Sequence, residues 1–353
     1  MSKNIIVVTK DIAEFLIYFL LVSALRERGH NVTVIAEGIS LDKWLEKDEA
    51  VARHFSGSTE CEFEIFLAGL KPDLVLTGLA DPINWGEKFG LAANKLGIKL
   101  GYVIDVWGAE SRSTAVPNFI CTLDNFARER ILNYHPFGAS MPKVYITGSP
   151  AMDSLAKVKI PTGFLGNLAN CNERTILFCG QNIFSASALE GLIQALNDCQ
   201  KEIPCILIPR FHPKFMQRAD HCALWNAILA KAKGYVLHVP TSTTSQQLMM
   251  LAGLTVSVFS NALIEAAALG SLPVSWNSEN GRKNMSSVFG GLTRFPLVDC
   301  GCAVEVETPA DFISVLRMAP VDFQNRIRRC KAMYRGDGNN TQRVTEAVTA
   351  ELA

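Results

Sequence analysis

Arg210-Phe-His212-Pro213-Lys214 puts two cationic side chains and an imidazole directly after the apolar run Ile206 to Pro209. Proline fixes its own φ and steers the preceding residue away from helix, so His212 is held at a strand's end. Together His212 and Lys214 can offset negative charge that develops on a departing group. A second polar tip, Ser260-Asn261, follows the run Thr255 to Phe259 and opens a helical stretch through Glu265 to Leu269. Ser and Asn are good helix caps, and a helix N-terminus offers free N–H groups and a positive dipole to an anion. The chemistry this suits is phosphate binding. Glu265 stands on an otherwise Ala-rich apolar helix, where a carboxylate is costly to bury without a partner. A sugar diol can supply that partner by donating two hydrogen bonds; Arg282 and Lys283 are the alternatives within the chain. The plain readings are a loop histidine, two caps and an internal ion pair.

These residues need strand ends that converge. The stretch from Cys205 to Trp276 contains apolar runs of strand length, Gly234 to Val239 among them, and each stops at a polar tip before a helix-like segment. That pattern predicts a parallel sheet with polar groups along its carboxyl edge, where α/β proteins hold ligands. Gln181 follows the strand Thr175 to Cys179 and is expected at the same edge.

The first half repeats the alternation. Asn4 to Thr9, Val32 to Ala36, Pro72 to Asp81, Lys99 to Ile104, Asn118 to Leu123 and Val144 to Thr147 read as strands. Helices are expected from Asp11 to Gly29 and over 41–54, 60–70, 85–96 and 124–132, the first capped by Asp11. The Pro-, Thr-, Gly- and Asn-rich stretch from Lys157 to Asn172 marks a boundary. The expected organisation is a first domain at 1–156, a linker at 157–173, a second domain at 174–335 and a terminal helix at 336–353 returning to the first. A last strand is expected at Phe295 to Cys300, with helices over 310–318, 323–334 and 342–352. The fold class is therefore α/β: two Rossmann-like, doubly wound domains facing a cleft.

With 353 residues, 34 Lys+Arg against 34 Asp+Glu, and 48% hydrophobic content, the chain reads as an ordinary soluble protein of two domains. The charge balance argues against a broad nucleic-acid surface. Ten cysteines without a C-x-x-C pair fit reduced thiols in a cytoplasmic enzyme and give no zinc pattern. The apolar run Phe15 to Leu25 is too short to span a membrane and reads as a buried helix. Thr9-Lys10-Asp11 is no dinucleotide fingerprint. No Asp-x-Asp triplet is present, so no metal is expected.

Taken together, the two halves resemble the GT-B glycosyltransferases and their fold relatives, the UDP-N-acetylglucosamine 2-epimerases. Thr147-Gly148-Ser-Pro-Ala-Met-Asp153 looks like the passage that ends the first domain in epimerases and related transferases. The His212-Pro213 dipeptide is similar to the motif of sialyl- and capsule-type transferases, whose histidine meets the nucleotide phosphate. Phe259 to Pro273 resembles the segment that grips diphosphate and ribose in this fold. The epimerases' His-Arg-x-Glu-Asn signature is absent, which favours a transferase. The resemblance implies an inverting, metal-independent glycosyltransferase of surface polysaccharide or glycan synthesis, without a cofactor beyond its CMP-, CDP- or UDP-linked sugar. Gln181, Arg210, His212, Lys214, Thr241, Ser260, Asn261 and Glu265 would serve the donor. A base for the acceptor hydroxyl is sought among Asp105, Asp81, Asp11 and Glu37; Asp105 is preferred, because Trp107 beside it could stack on a sugar. His135 reads as structural. The acceptor would be a glycan or lipid-linked glycan, with contact at the inner membrane face an option that the basic helix Phe323 to Lys331 leaves open. The alternatives are an epimerase or hydrolase on the same fold, and a non-catalytic binding subunit.

Overall fold

The computed structural model describes residues 1–47, 52–79, 85–134, 140–160, 175–212, 216, 218–240, 242–334 and 337–353. Lys214, Thr241, Asp81, His135 and most of the expected linker lie outside them. The chain divides into two compact units. Unit 1 is Met1–Ala156, Val288–Gly290 and Asp337–Ala353; unit 2 is Lys157–Ser287 and Gly291–Gly336.

In unit 1, strands β1 (Asn4–Thr9), β2 (Asn31–Ala36), β3 (Ala52–Arg53), β4 (Leu74–Thr77), β5 (Lys99–Val103), β6 (Phe119–Thr122) and β7 (Lys143–Ile146) form one parallel sheet. Its order is β3-β2-β1-β4-β5-β6-β7, the doubly wound pattern with a reversal between β1 and β4. The connecting helices are α1 (Ile12–Glu27), α2 (Gly38–Glu46), α3 (Glu60–Leu70), α4 (Trp85–Lys95) and α5 (Asn125–Tyr134). Because such strands are covered on both faces, they read as unbroken apolar runs. Ile5 and Val7 face a core shared with α1 and Trp44, while Ile6 and Val8 face one shared with α3 and α4. The helix expected over 41–54 begins and ends earlier, and the short edge strand β3 occupies part of its place.

Unit 2 holds β8 (Thr175–Gly180), α6 (Ala186–Cys199), β9 (Ile206–Phe211), α7 (Ala219–Leu229), α8 (Ser245–Met249), β10 (Leu254–Ser257), α9 (Asn261–Leu269), β11 (Leu272–Trp276), α10 (Glu279–Val288), α11 (Pro296–Asp299), β12 (Val304–Val306), α12 (Pro309–Leu316) and α13 (Pro320–Met333). The last residue of α10, Val288, counts with unit 1. The strands pair in parallel in the order β12-β11-β10-β8-β9, so the winding reverses between β8 and β10.

Two expected strands are corrected. Gly234 to Val239 contributes a single bridge, Leu207 to Val236, with Leu207 N donating to Tyr235 O and Leu237 N to Leu207 O. The next rung would need an N–H from residue 209, which is proline, and the ladder stops there. Pro209 itself is tolerated because β9 is an edge strand. Phe295 to Cys300 is helical: Pro296 stands at the first position of α11, where a missing N–H costs nothing. The last strand is β12 instead.

The final helix, α14 (Asn340–Leu352), belongs to unit 1, where Val344, Val348 and Leu352 join the α1 core. The Thr147 to Asp153 passage seats it. Asp153 accepts from the α14 backbone, Asn340 N at 2.9 Å and Thr341 N at 2.7 Å, and Arg343 Nε donates to Thr147 O at 2.9 Å. Gly148, at φ +71°, lies so close to Asn340 that a Cβ there would stand 2.1 Å from the amide oxygen. A motif read as a domain end is thus an anion placed against a helix N-terminus. Replacing Asp153 with Ala should lower the urea-unfolding free energy by about 2 kcal/mol, with Asn recovering part of it. An unchanged unfolding midpoint in the Ala variant would refute this role.

Candidate functional site

Among the described residues, Gln181, Arg210, His212, Ser260, Asn261 and Glu265 lie at or just beyond the carboxyl ends of the unit 2 strands, on either side of the reversal between β8 and β10. Gln181, just beyond β8, spans that reversal: its Nε2 donates to Phe259 O at 2.5 Å and its Oε1 accepts from Phe259 N at 3.0 Å. Both halves of the amide are engaged by one backbone unit, so Gln181 fixes the loop into α9 as a neighbouring strand would. Phe184 stacks on Phe259, with ring centroids 5.1 Å apart and 8° between planes. This loop delivers Ser260 as the N-cap of α9; its Oγ accepts from Ala262 N at 3.2 Å. Ser260 and Asn261 are both half-buried at the start of the helix, where Leu263 N also donates to Ser260 O at 2.9 Å.

Arg210 is the penultimate residue of β9. One nitrogen, Nη2, donates to Pro240 O at 3.0 Å and also to Thr243 O, while Nε is buried without a hydrogen-bond partner among the described residues. Desolvation lowers its pKa, with the nearby Cys179 opposing. Its guanidinium therefore moulds the 240–243 loop, a task the sequence did not disclose. His212, exposed just beyond β9, is anchored through its backbone N–H to Gly180 O at 2.9 Å. Tyr235 is a buried support, its hydroxyl meeting Ile193 O at 3.1 Å and Asn197 Oδ1 at 3.0 Å.

Glu265 lies one turn into α9, half-buried, with Gln246 on α8 as its one hydrogen-bond partner among the described residues: Nε2 donates to Oε2 at 2.9 Å. Burial pushes its carboxyl up to about 7, against the smaller opposing effect of that bond. Neither candidate cation reaches it. Arg282 Nη1 binds Asn277 O and Glu307, and Lys283 pairs with Glu279 at 2.7 Å. Sequence reading missed Gln246; the Thr244 to Gln247 spacing of a capping box was the available sign of a helix that would carry it.

In unit 1, Asp105 is half-buried two residues past the end of β5. It lies near the buried Tyr18 phenol, whose pKa is raised chiefly by burial and by Glu14, with Asp105 contributing. The expected stacking face beside it is corrected: Trp107 is 1% exposed, and its Nε1 donates to both oxygens of Asp124 at 3.1 and 3.2 Å. Asp11 caps α1, accepting from Glu14 N at 2.9 Å, and Glu37 pairs with Lys10 at 3.4 Å. Of the base candidates within the described residues, Asp11 and Glu37 therefore have internal partners. Val288–Gly290 packs nearby in the same unit, Arg112 Nε donating to Val288 O and Arg130 Nη2 to Gly290 O. Among the described residues, no group of three or more His, Cys, Asp or Glu side chains is gathered for a metal, and no helix is long and apolar enough to cross a membrane.

The titration of Glu265 gives a test. A carboxyl with a raised folded pKa stabilises the fold fully below its unfolded pKa, and the contribution disappears as pH rises through the folded value. Wild-type protein should therefore lose stability relative to Glu265→Gln as pH rises from about 4.5 to about 7. Urea unfolding of both proteins at stepped pH measures this, and a constant difference across the window would count against the buried carboxyl.

No family model matches the chain, and no curated protein sequence does. Solved structures do. UDP-GlcNAc 2-epimerase from Neisseria meningitidis, bound to UDP-GlcNAc, aligns with TM-score 0.69 at 15% identity, over 98% of this chain and 100% of that one. The S. aureus MnaA–UDP co-structure gives TM-score 0.72 at 14% identity, over 99% and 97%. MurG of Acinetobacter baumannii gives 0.61 at 16%, over 99% and 100%. At such identities the likeness is one of architecture: the chain has the two-domain, Rossmann-like fold of GT-B enzymes.

Proposed function

We propose that the protein is a nucleotide-sugar enzyme, a GT-B-type glycosyltransferase that binds its donor on unit 2. The observation that carries this reading is the sheet edge itself: a capped helix N-terminus beside the winding reversal, with a half-buried carboxylate one turn further on that pairs with no cation among the described residues. The first suits a diphosphate, the second the diol of a ribose. Support comes from fold neighbours whose structures contain UDP or UDP-GlcNAc.

On this reading Ser260 and Asn261 receive the phosphates, Glu265 the ribose, and His212 with Lys214 the charge on the leaving nucleotide. Thr241 is read as a contact to the base, which is a uridine or cytidine, and Arg210 holds the carbonyls of Pro240 and Thr243 on either side of it in sequence. Asp105 in unit 1 is the general base for the acceptor, a glycan or lipid-linked glycan. The reaction is inverting and uses neither metal nor further cofactor. A second reading, epimerisation of the same class of donor, is favoured by the neighbours named as UDP-GlcNAc 2-epimerases.

A thermal-shift panel of CMP, CDP, UDP, GDP and TDP tests the site. A nucleotide at about 100 times its dissociation constant should add about 2.7 kcal/mol of stability to the wild type, and most of that should vanish in His212→Ala and in Glu265→Ala. No shift with any nucleotide would overturn the donor site. Incubation with a UDP-sugar alone then separates the two readings: conversion to an epimeric nucleotide sugar without acceptor favours the epimerase.

A further inference from the structure

We infer that Gln246 is a positioning residue for Glu265, and that the pair makes the site selective for ribonucleotides over 2′-deoxyribonucleotides. The inference rests on the donor site proposed above and concerns a residue that touches no ligand in it.

Gln246 stands on the five-residue helix α8, which is fixed from both ends. At its start Thr244 and Gln247 form a reciprocal cap, with Thr244 N donating to Gln247 Oε1 at 2.9 Å and Gln247 N to Thr244 Oγ1 at 3.2 Å. The carbonyl just before, Thr243 O, accepts from Arg210. At its end Leu248 and Met249 are buried in a core with Ala266 of α9. The Gln246 amide is thus held at a set place against Glu265, and its 2.9 Å bond to Oε2 stops the carboxylate from turning.

The chemistry of the partner matters. Lys or Arg at this place would neutralise the carboxylate and compete for its lone pairs. An amide is a neutral donor: it orients Oε2 and leaves the negative charge, together with Oε1, for hydroxyl donors. Among the described residues, the other titratable groups nearby do not alter this. Cys179 is a buried thiol pushed up to about 12, and Arg210 is turned to the Pro240 and Thr243 carbonyls. A vicinal diol donates two hydrogen bonds to such a carboxylate, and a 2′-deoxy sugar can donate one fewer.

Isothermal titration of the best-binding nucleotide and its 2′-deoxy counterpart into wild type, Gln246→Leu and Gln246→Glu tests this, with far-UV circular dichroism confirming the fold. Wild type should prefer the ribonucleotide by on the order of tenfold to a hundredfold, the size of one charge-assisted hydrogen bond. Gln246→Leu should reduce that preference about tenfold, mainly through weaker ribonucleotide binding. Losing the amide also disfavours the ionised carboxylate, so the pH below which the preference fades should move upward in Gln246→Leu and further in Gln246→Glu. If both variants weaken the two nucleotides equally, with no displaced pH profile, Gln246 is only a structural residue and the inference fails. If wild type binds no nucleotide of either kind, the donor site fails and takes the inference with it.

Discussion

A parallel strand covered on both faces admits along its length only small polar side chains that bond within the protein, and this constraint governs both units. Ile5 to Val8 divide between two cores, and β8, β10 and β11 are similarly enclosed, with Ser257 and Ser275 donating to the carbonyls of Cys179 and Val258, so larger functional groups appear where strands end. The winding of unit 2 reverses between β8 and β10 and opens a gap at that edge. Gln181 bridges it with one amide, and the start of α9 is placed by that bridge. The geometry offered to a ligand is therefore set by hydrogen bonds that the protein makes with itself.

Several polar residues that stand out in the sequence have such internal tasks. Arg210 gathers the carbonyls of the 240–243 loop, Asp11 starts a helix, Trp107 is sealed against Asp124, and Asp153 holds the last helix. A residue type at a strand tip is legible from sequence; the partner that claims it is not, because that partner comes from a distant segment. Glu265 is the contrasting case. Its burial was foreseeable from the Ala-rich helix around it, yet that neither Arg282 nor Lys283 pairs with it required seeing them turn to Asn277, Glu307 and Glu279.

The same distinction applies to the fold. Alternating apolar runs and caps located most strands and helices of both units, since each is a local signal. Local signals failed where pairing decided the outcome. Gly234 to Val239 has a strand's composition, but its neighbour presents a proline at the rung that would extend the ladder. Phe295 to Cys300 has one too, but Pro296 lets a helix turn start at no hydrogen-bond cost, and the sheet takes Val304–Val306 instead.

Unit 1 is also discontinuous in a way that bears on how the chain emerges from a ribosome. The apolar face of α1, including Leu21 and Leu25, shares its core with Val344, Val348 and Leu352. Asp153 waits for a partner 187 residues downstream. Because α14 follows all of unit 2 in sequence, this part of the unit 1 core is filled only after unit 2 has been made. The side of α1 that meets β1, β2 and Trp44 can pack early, while the patch that meets Val344, Val348 and Leu352 stays open in the meantime, a surface for a chaperone to shield.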